Sequence, residues 1–231
     1  MNDRRNQMTL DMQELSVRRV NQTLRSNGEQ AFRILHPRGA HSLACGLNAP
    51  LDVSVEGHAG YYCAGMNQHA TVTVDGNAGT GLAENIMSGS VRVLGNASQS
   101  VGASGHGGLV VVEGNASARC GISMKGVDII IGGNVGHMAA FMAQSGSLVV
   151  CGDAGADLGD SIYEARLFVR GDVESLGADC VEKEMRNEHI ESLQALLASA
   201  GMSSKIKAES FRRYGSARKL YNFTIDNAGA A

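Results

Sequence analysis

Seven glycines stand at a strict interval of 19 residues: Gly57, Gly76, Gly95, Gly114, Gly133, Gly152 and Gly171. Each ends the same short phrase. Val53-Ser-Val-Glu precedes the first, Val72-Thr-Val-Asp the second and Val91-Arg-Val-Leu the third. Val110-Val-Val-Glu, Ile129-Ile-Ile-Gly, Leu148-Val-Val-Cys and Leu167-Phe-Val-Arg precede the others. A fixed internal period without insertions marks a stacked-repeat architecture. Nineteen residues are too few for a helical repeat, and no 3.6-residue period runs through them. Aliphatic residues at alternate positions make a short strand with one inward face. The unit therefore reads as one coil of a β-solenoid.

Stacking the coils at about 4.8 Å makes a rod roughly 34 Å tall over seven coils. Every column of the repeat becomes a ladder along that rod. Val72, Val91, Val110, Ile129, Leu148 and Leu167 form an inner ladder, with a second two residues on. Asn77, Asn96, Asn115 and Asn134 follow their glycines, and Asp153 and Asp172 continue the column. Gly and Asn tolerate left-handed backbone angles, so a corner is expected there. Stacked Asn amides can chain hydrogen bonds along it. Seven residues after each glycine stand Ala64, Ala83, Gly102, Gly121, Ala140, Gly159 and Ala178, none larger than Ala. That column is a narrow corner or a flat wall against another chain.

Three segments follow from the period: residues 1–50 as an N-terminal cap, 51–180 as the solenoid, and 181–231 as a C-terminal helix and arm. A solenoid needs atypical ends to cover its open edges. Ser16 caps a short helix to Leu24, with Val17, Val20 and Leu24 on one face and Asn27-Gly28 as its stop. Asp179-Cys-Val-Glu182 reads as a capping box opening a helix to about Ser199. Met185, His189, Leu193, Leu196 and Leu197 make its stripe. Residues 202–231 are basic and then apolar (Tyr221, Phe223, Ile225), an arm or closing segment.

The 30 glycines among 231 residues, with only 2 prolines, thus mark tight corners in a folded chain. A net charge of −3 gives no reason to expect nucleic acid or membrane as a partner. No secretory leader and no spanning segment is expected. Five cysteines, an odd number without a Cys-x-x-Cys pair, read as reduced thiols of a cytoplasmic protein. Cys63 and Cys120 share a column but lie about 14 Å apart by the ladder spacing, too far for a disulfide.

Catalytic patterns are sparse. Gly-rich stretches at 76–81 and 102–108 lack the helix that a dinucleotide fingerprint requires. No two of the seven histidines share metal-ligand spacing with each other or with a cysteine. His106, between glycines, is expected to be exposed. Tyr163, Glu164, Arg166 and Arg170 break the small-residue pattern of the last coils. With Arg212, Tyr214 and Arg218 of the tail they form a solvated face or a contact surface; Arg and Tyr are frequent interface anchors.

The strand–Gly–Asn/Asp units, with a second small-Gly pair at Ser88-Gly89 and Ser145-Gly146, resemble the GXGXG domain that ends the large subunit of glutamate synthase. The match spans residues ~51–178. It implies a right-handed parallel β-helix, all-β in class. The 159–170 cassette, Leu176-Gly-Ala-Asp-Cys180 and the 211–220 tail make the chain most similar to the free-standing GXGXG subunits of N-methylglutamate synthases (methylamine–glutamate N-methyltransferases). That resemblance implies a hetero-oligomeric enzyme making N-methylglutamate and ammonia from methylamine and glutamate. One partner would be a glutamine-amidotransferase-like subunit. The other would be a glutamate-synthase-like barrel holding FMN and iron–sulfur clusters. It implies no catalytic residue, cofactor or metal in this chain. Met124-Lys-Gly126-Val127 and Glu164-Ala165 depart from the usual small-Gly pair. Glutamate synthase and formylmethanofuran dehydrogenase are alternative assemblies. A solenoid acyltransferase fits less well, since its coils carry three hexapeptides.

Overall fold

The computed structural model describes residues 7–26, 28 and 30–218. In chain order these form β1 (Met8–Asp11), α1 (Val17–Ser26), β2 (Ala31–Leu35), β3 (Asp52–Glu56), β4 (Thr71–Asp75), β5 (Ser90–Val93) and β6 (Leu109–Val112). Then come β7 (Lys125–Ile131), β8 (Ser145–Val150), β9 (Arg166–Val169), β10 (Cys180–Lys183), α2 (Asn187–Ser199) and β11 (Arg212–Ser216). Strands β1 to β9 lie side by side in chain order and all run parallel. A parallel ladder between consecutive strands needs the chain to travel round and return, once per coil. The fold is the parallel β-solenoid that the period requires.

The register is that of the repeat. Val53, Val72, Val91, Val110, Ile129, Leu148 and Leu167 pair in sequence across six strand pairs. All seven are fully buried, as is the ladder two residues on, from Val55 to Val169. Across the coil, Ala59, Ala78, Ala97, Ala116, Val135, Ala154 and Val173 bridge in a second column. Leu82, Val101, Cys120 and Leu158 project into the same interior. Aliphatic side chains fill the rod from end to end, so its centre is packed and carries no passage.

The glycine column has a different cause from the one its residue type suggests. Of the seven, only Gly57 has a positive φ (131°). The other six are small because the coil below leaves no room. A Cβ on Gly95, Gly114, Gly133, Gly152 or Gly171 would fall on the side-chain oxygen of Asn77, Asn96, Asn115, Asn134 or Asp153. Those oxygens are occupied. Asn77 Oδ1 accepts the backbone N–H of Asn96 at 2.8 Å, and the pattern repeats to Asn115, Asn134 and Asp153 at 2.8 Å. Asp153 Oδ1 accepts from Asp172 at 2.9 Å. The ladder thus runs from side-chain oxygen to backbone amide, not from amide to amide. Only an acceptor is needed, which is why Asp replaces Asn in the last coils. Asn115→Asp is therefore expected to change stability by under about 0.5 kcal/mol. Asn115→Val strands one N–H and is expected to cost about 1 kcal/mol by urea unfolding. Equal losses in the two variants would contradict the acceptor ladder.

The small-residue column is a corner. Ala64, Ala83, Gly102, Gly121, Ala140 and Gly159 have φ between 55° and 72° and are buried. At Gly102 a Cβ would lie 2.6 Å from Ile129 Cδ1. Backbone angle and crowding both exclude a larger side chain. The residues two before and two after are left-handed too, as at Tyr62 and Met66. Alternate N–H groups then donate forward and back: Tyr62 to Thr80, Ala64 to Leu43, Met66 to Glu84. The turn segment is in this way stitched to both neighbouring coils.

Both ends differ from the expected segmentation. The ladder does not begin at residue 51: β2 pairs with β3 and β1 with β2, so 31–50 form a further coil. Its strand partner lies 21 residues on (Phe32 to Val53), and the 19-residue period misses it. Helix α1 closes this end, as its Ser16 cap predicts. Ser16 Oγ accepts the Arg19 N–H, and Val20 and Leu24 are buried. Asn21 ties the helix down, donating to Ser42 O and accepting from Ala44 N at 2.8 Å each. Asn27 of the proposed stop lies outside the described residues.

At the other end no helix starts at Asp179. Residues 180–183 are strand β10, paired antiparallel with β11, which itself pairs antiparallel with β9. Asp179 has φ 64°, whereas an N-cap takes extended angles. Helix α2 starts at Asn187, where the Arg186 N–H donates to His189 Nδ1 at 3.2 Å. Tail residues 212–216 thus serve as the closing strand; Tyr221, Phe223 and Ile225 lie outside the described residues. Met124–Val127 make a register shift in β7, with Gly126 at φ 140°, and the ladder continues past it. At the second departure Glu164 N–H still donates to Gln144 O.

A second core covers one outer face of the sheet. Val111, Ile130, Val149 and Phe168 point away from the rod and are buried under Leu193 and Leu197 of α2, with Phe211. The same outward position carries Arg33, Ser54, Thr73 and Arg92 in the earlier coils. Helix α2 therefore packs where the strands are apolar on both faces.

Candidate functional site

The residues singled out from the sequence divide into three groups. Gly57 to Gly171 and Asn77 to Asn134 build the corner ladder. Tyr214 is not on the surface: it is buried in the main core beside Ala165 and Leu167. Arg212 reaches back to the last coil, donating to Gly171 O at 2.7 Å near Asp172. Arg170 is exposed just beyond β9, one residue past Val169, the strand partner of Arg212. Arg218 pairs with Asp179, and this carboxylate, with Tyr163 nearby, pushes the guanidinium up. Tyr163 is half exposed. Tyr163, Asp179 and Arg218 thus lie at one spot, and Arg212 contacts Gly171 and Asp172 at another. Arg166 opens β9 in register with Ser147 of β8 and Asp128 of β7.

Asp128 itself was not expected to matter. It sits partly buried, and burial pushes its carboxyl up; the Ser147 hydroxyl and amide and the Arg166 charge oppose that shift. The Asp128–Ser147–Arg166 row is a polar ladder set into the sheet.

The thiols are quiet. Burial pushes Cys63 and Cys120 up to about 12, and Cys151 and Cys180 up to about 11. Cys45 is also raised by burial, and its thiol donates to Tyr62 O. A thiol held in that range is a poor nucleophile at neutral pH. Among the described residues no group of three or more His, Cys, Asp or Glu side chains could hold a metal ion. His106 is exposed, as expected.

Apart from Tyr163, the sequence reading missed a set of large apolar side chains on and just after the turn segment. Tyr61, Tyr62, Met66, Met87, Met142 and Tyr163 are 44–55% exposed. The repeat accounts for their position. Met66 and Met142 share one column, nine residues after the glycine; Met87 and Tyr163 share the column two further on. The Tyr61 ring stacks on His41, 4.4 Å between centroids. Tyr62 lies over Gly81, whose Cβ would be 2.6 Å from its ring. The rings are thus fixed by the coils they lean on. The signal was available: the first of these columns otherwise holds Asn85, Ser104, Ser123 and Ser161, and the second Gln68, His106, Lys125 and Gln144. Groove-like relief occurs beside α2, where Arg92 joins Glu113 at 2.9 Å and donates to Ala200 O at 3.0 Å. There Arg92 satisfies a carbonyl at the helix C-terminus, a structural task.

No helix among the described residues is long and apolar enough to cross a membrane. No protein-family model matches the chain. Among curated proteins it is similar to Protein GlxC of Rhizobium meliloti (strain 1021), 56% identical over 225 residues. The alignment covers 96% of this chain and 98% of that protein.

Proposed function

Because this chain belongs to the family of Protein GlxC, we propose that it is the scaffold subunit of a heteromeric glutamate-synthase-like enzyme. The observation that carries this reading is the exposed methionine–tyrosine set on a rigid, cross-stitched turn segment. A rod of stacked coils holds such anchors at fixed spacing, which suits a part that sets the distance and orientation of two partners. The resemblance of the repeat to GXGXG domains supports the assembly class. It also supports the finer assignment, N-methylglutamate synthase acting on methylamine and glutamate. The partners are then an amidotransferase-like subunit and a flavin-barrel subunit. FMN and iron–sulfur clusters fit that barrel and not this chain, whose cysteines lie in separate coils with raised thiols. A channel for ammonia or methylamine, if walled by this subunit, runs along its outside, since the interior is filled with aliphatic side chains.

The test is co-expression with an amidotransferase-like and a flavin-barrel subunit from the same source. One complex that forms N-methylglutamate from methylamine is expected, with no turnover by this chain alone. Met66→Asp with Met142→Asp should abolish capture of at least one partner while leaving the unfolding midpoint within a degree or two. Turnover by the isolated chain, or a complex indifferent to both substitutions, contradicts the reading. Copurified molybdopterin or tungsten subunits would point to formylmethanofuran dehydrogenase instead.

A further inference from the structure

The corner ladder has a different head from its body. In its body every acceptor is a carboxamide or carboxylate oxygen. At its head stands His58, whose Nδ1 accepts the backbone N–H of Asn77 at 3.0 Å. One coil earlier His41 does the same, its Nδ1 accepting the Tyr61 N–H at 2.9 Å. Both imidazoles are exposed, and both must carry their proton on Nε2 to accept at Nδ1. A doubly protonated ring has no lone pair left. Histidine is the side chain that changes charge between about pH 5 and 8.

We propose that these two imidazole acceptors make the two successive junctions at this end of the rod, from the first coil (31–50) to the second and from the second to the third, sensitive to acid. Protonation removes one acceptor at each of these two junctions and puts positive charge against the donors. Coils further along are joined through oxygens that keep their lone pairs over the same range. The other histidines of this end act elsewhere. His36 Nδ1 lies 2.9 Å from Asp11 Oδ1, a pair that gains from protonation but lies within the cap and first coil. His69 faces the Ser88 hydroxyl, which can reverse its role as donor or acceptor. The charged groups on the elements around these junctions include Arg33 and Glu56, which bind each other, Asp52 at the start of β3, Asp75 at the end of β4, Arg38 beside Asp11, and Arg25 beside Cys45. None of these groups restores the lost acceptors.

Amide hydrogen exchange of the full chain, resolved by NMR at pH 7.5 and pH 5.0, tests this. After correction for intrinsic rates, protection of the Tyr61 and Asn77 amides should fall about five-fold at the lower pH, the change expected for one lost hydrogen bond. The Asn96, Asn115 and Asn134 amides, in the same column, should hold theirs. His58→Asn installs the ladder's own acceptor and should remove the fall at Asn77. Unchanged protection at Tyr61 and Asn77, a fall shared by all five amides, or a fall that persists in His58→Asn would overturn the proposal.

Discussion

Gly152→Ala is expected to destabilise the chain by about 3 kcal/mol, whereas Gly201→Ala should cost about 1 kcal/mol. By thermal unfolding the first corresponds to a midpoint drop of about 6–12 °C for a chain of this size. The contrast isolates the cause. Gly201 has φ 71° and nothing within 4 Å of an added Cβ, so Ala there meets only the left-handed penalty. At Gly152 the backbone angle is ordinary. The added methyl would fall on Asn134 Oδ1 and lie 2.8 Å from the Gly133 carbonyl carbon and oxygen. Neither neighbour can retreat. Asn134 Oδ1 holds the Asp153 amide, and the Gly133 carbonyl accepts the Gly152 N–H at 2.9 Å. Relief requires opening the coil-to-coil spacing, and the ladder carries that strain into the next layer. A larger loss at Gly201 than at Gly152 would mean that the glycine column exists for its dihedral freedom after all.

Phe168→Ala is expected to cost about 3–5 kcal/mol, and its effect should be local before it is global. Phe168 is fully buried on the outer face of β9, in the cluster with Leu193, Leu197 and Phe211. Removing the ring leaves a cavity between sheet and helix and does not touch the inner ladder of Leu167 and Val169. Hydrogen exchange should therefore speed up across residues 187–199 while the amides of β3 to β5 keep their protection. Uniform loss of protection along the rod would show that α2 and the solenoid unfold as one unit. That outcome would also remove the grounds for treating the helix as an added layer.

The sequence was legible wherever one coil repeats the next. Val72 opposite Val91 follows from a 19-residue period because a parallel stack repeats every local choice in register. The same logic placed the inner ladders, the Asn–Asp column and the small corner. It failed where the period fails. The first coil has its strand partner 21 residues away and lacks the Gly–Asn phrase, so residues 31–50 resembled a mere extension. The 180–183 segment carried a sound capping pattern, yet became a strand because the free edge of β11 offered it four paired residues. A short helix start contributes about 1 kcal/mol, less than a docked strand. Of the proposed contact residues, Tyr214 was misplaced for the same reason: as part of a closing strand it faces inward. The outer core could have been read in advance. Leu109-Val-Val-Val112 and Leu167-Phe-Val169 lack the alternation of Val72-Thr-Val74, and an unbroken apolar strand has both faces covered.

By itself, then, the sequence determined the coil, its length, its inward residues and the number of regular layers, since these depend on one repeated local pattern. Tertiary structure decided what no period can encode: how the ends close, which strand the tail joins, and which outer face the helix covers. It also decided that six of the seven corner glycines answer to the coil below them, five of these to a side-chain oxygen, rather than to their own backbone angle. Such contacts join residues whose adjacency arises only after the coils have stacked, and a steric limit set by the layer below leaves no trace in the layer that obeys it except the absence of a side chain.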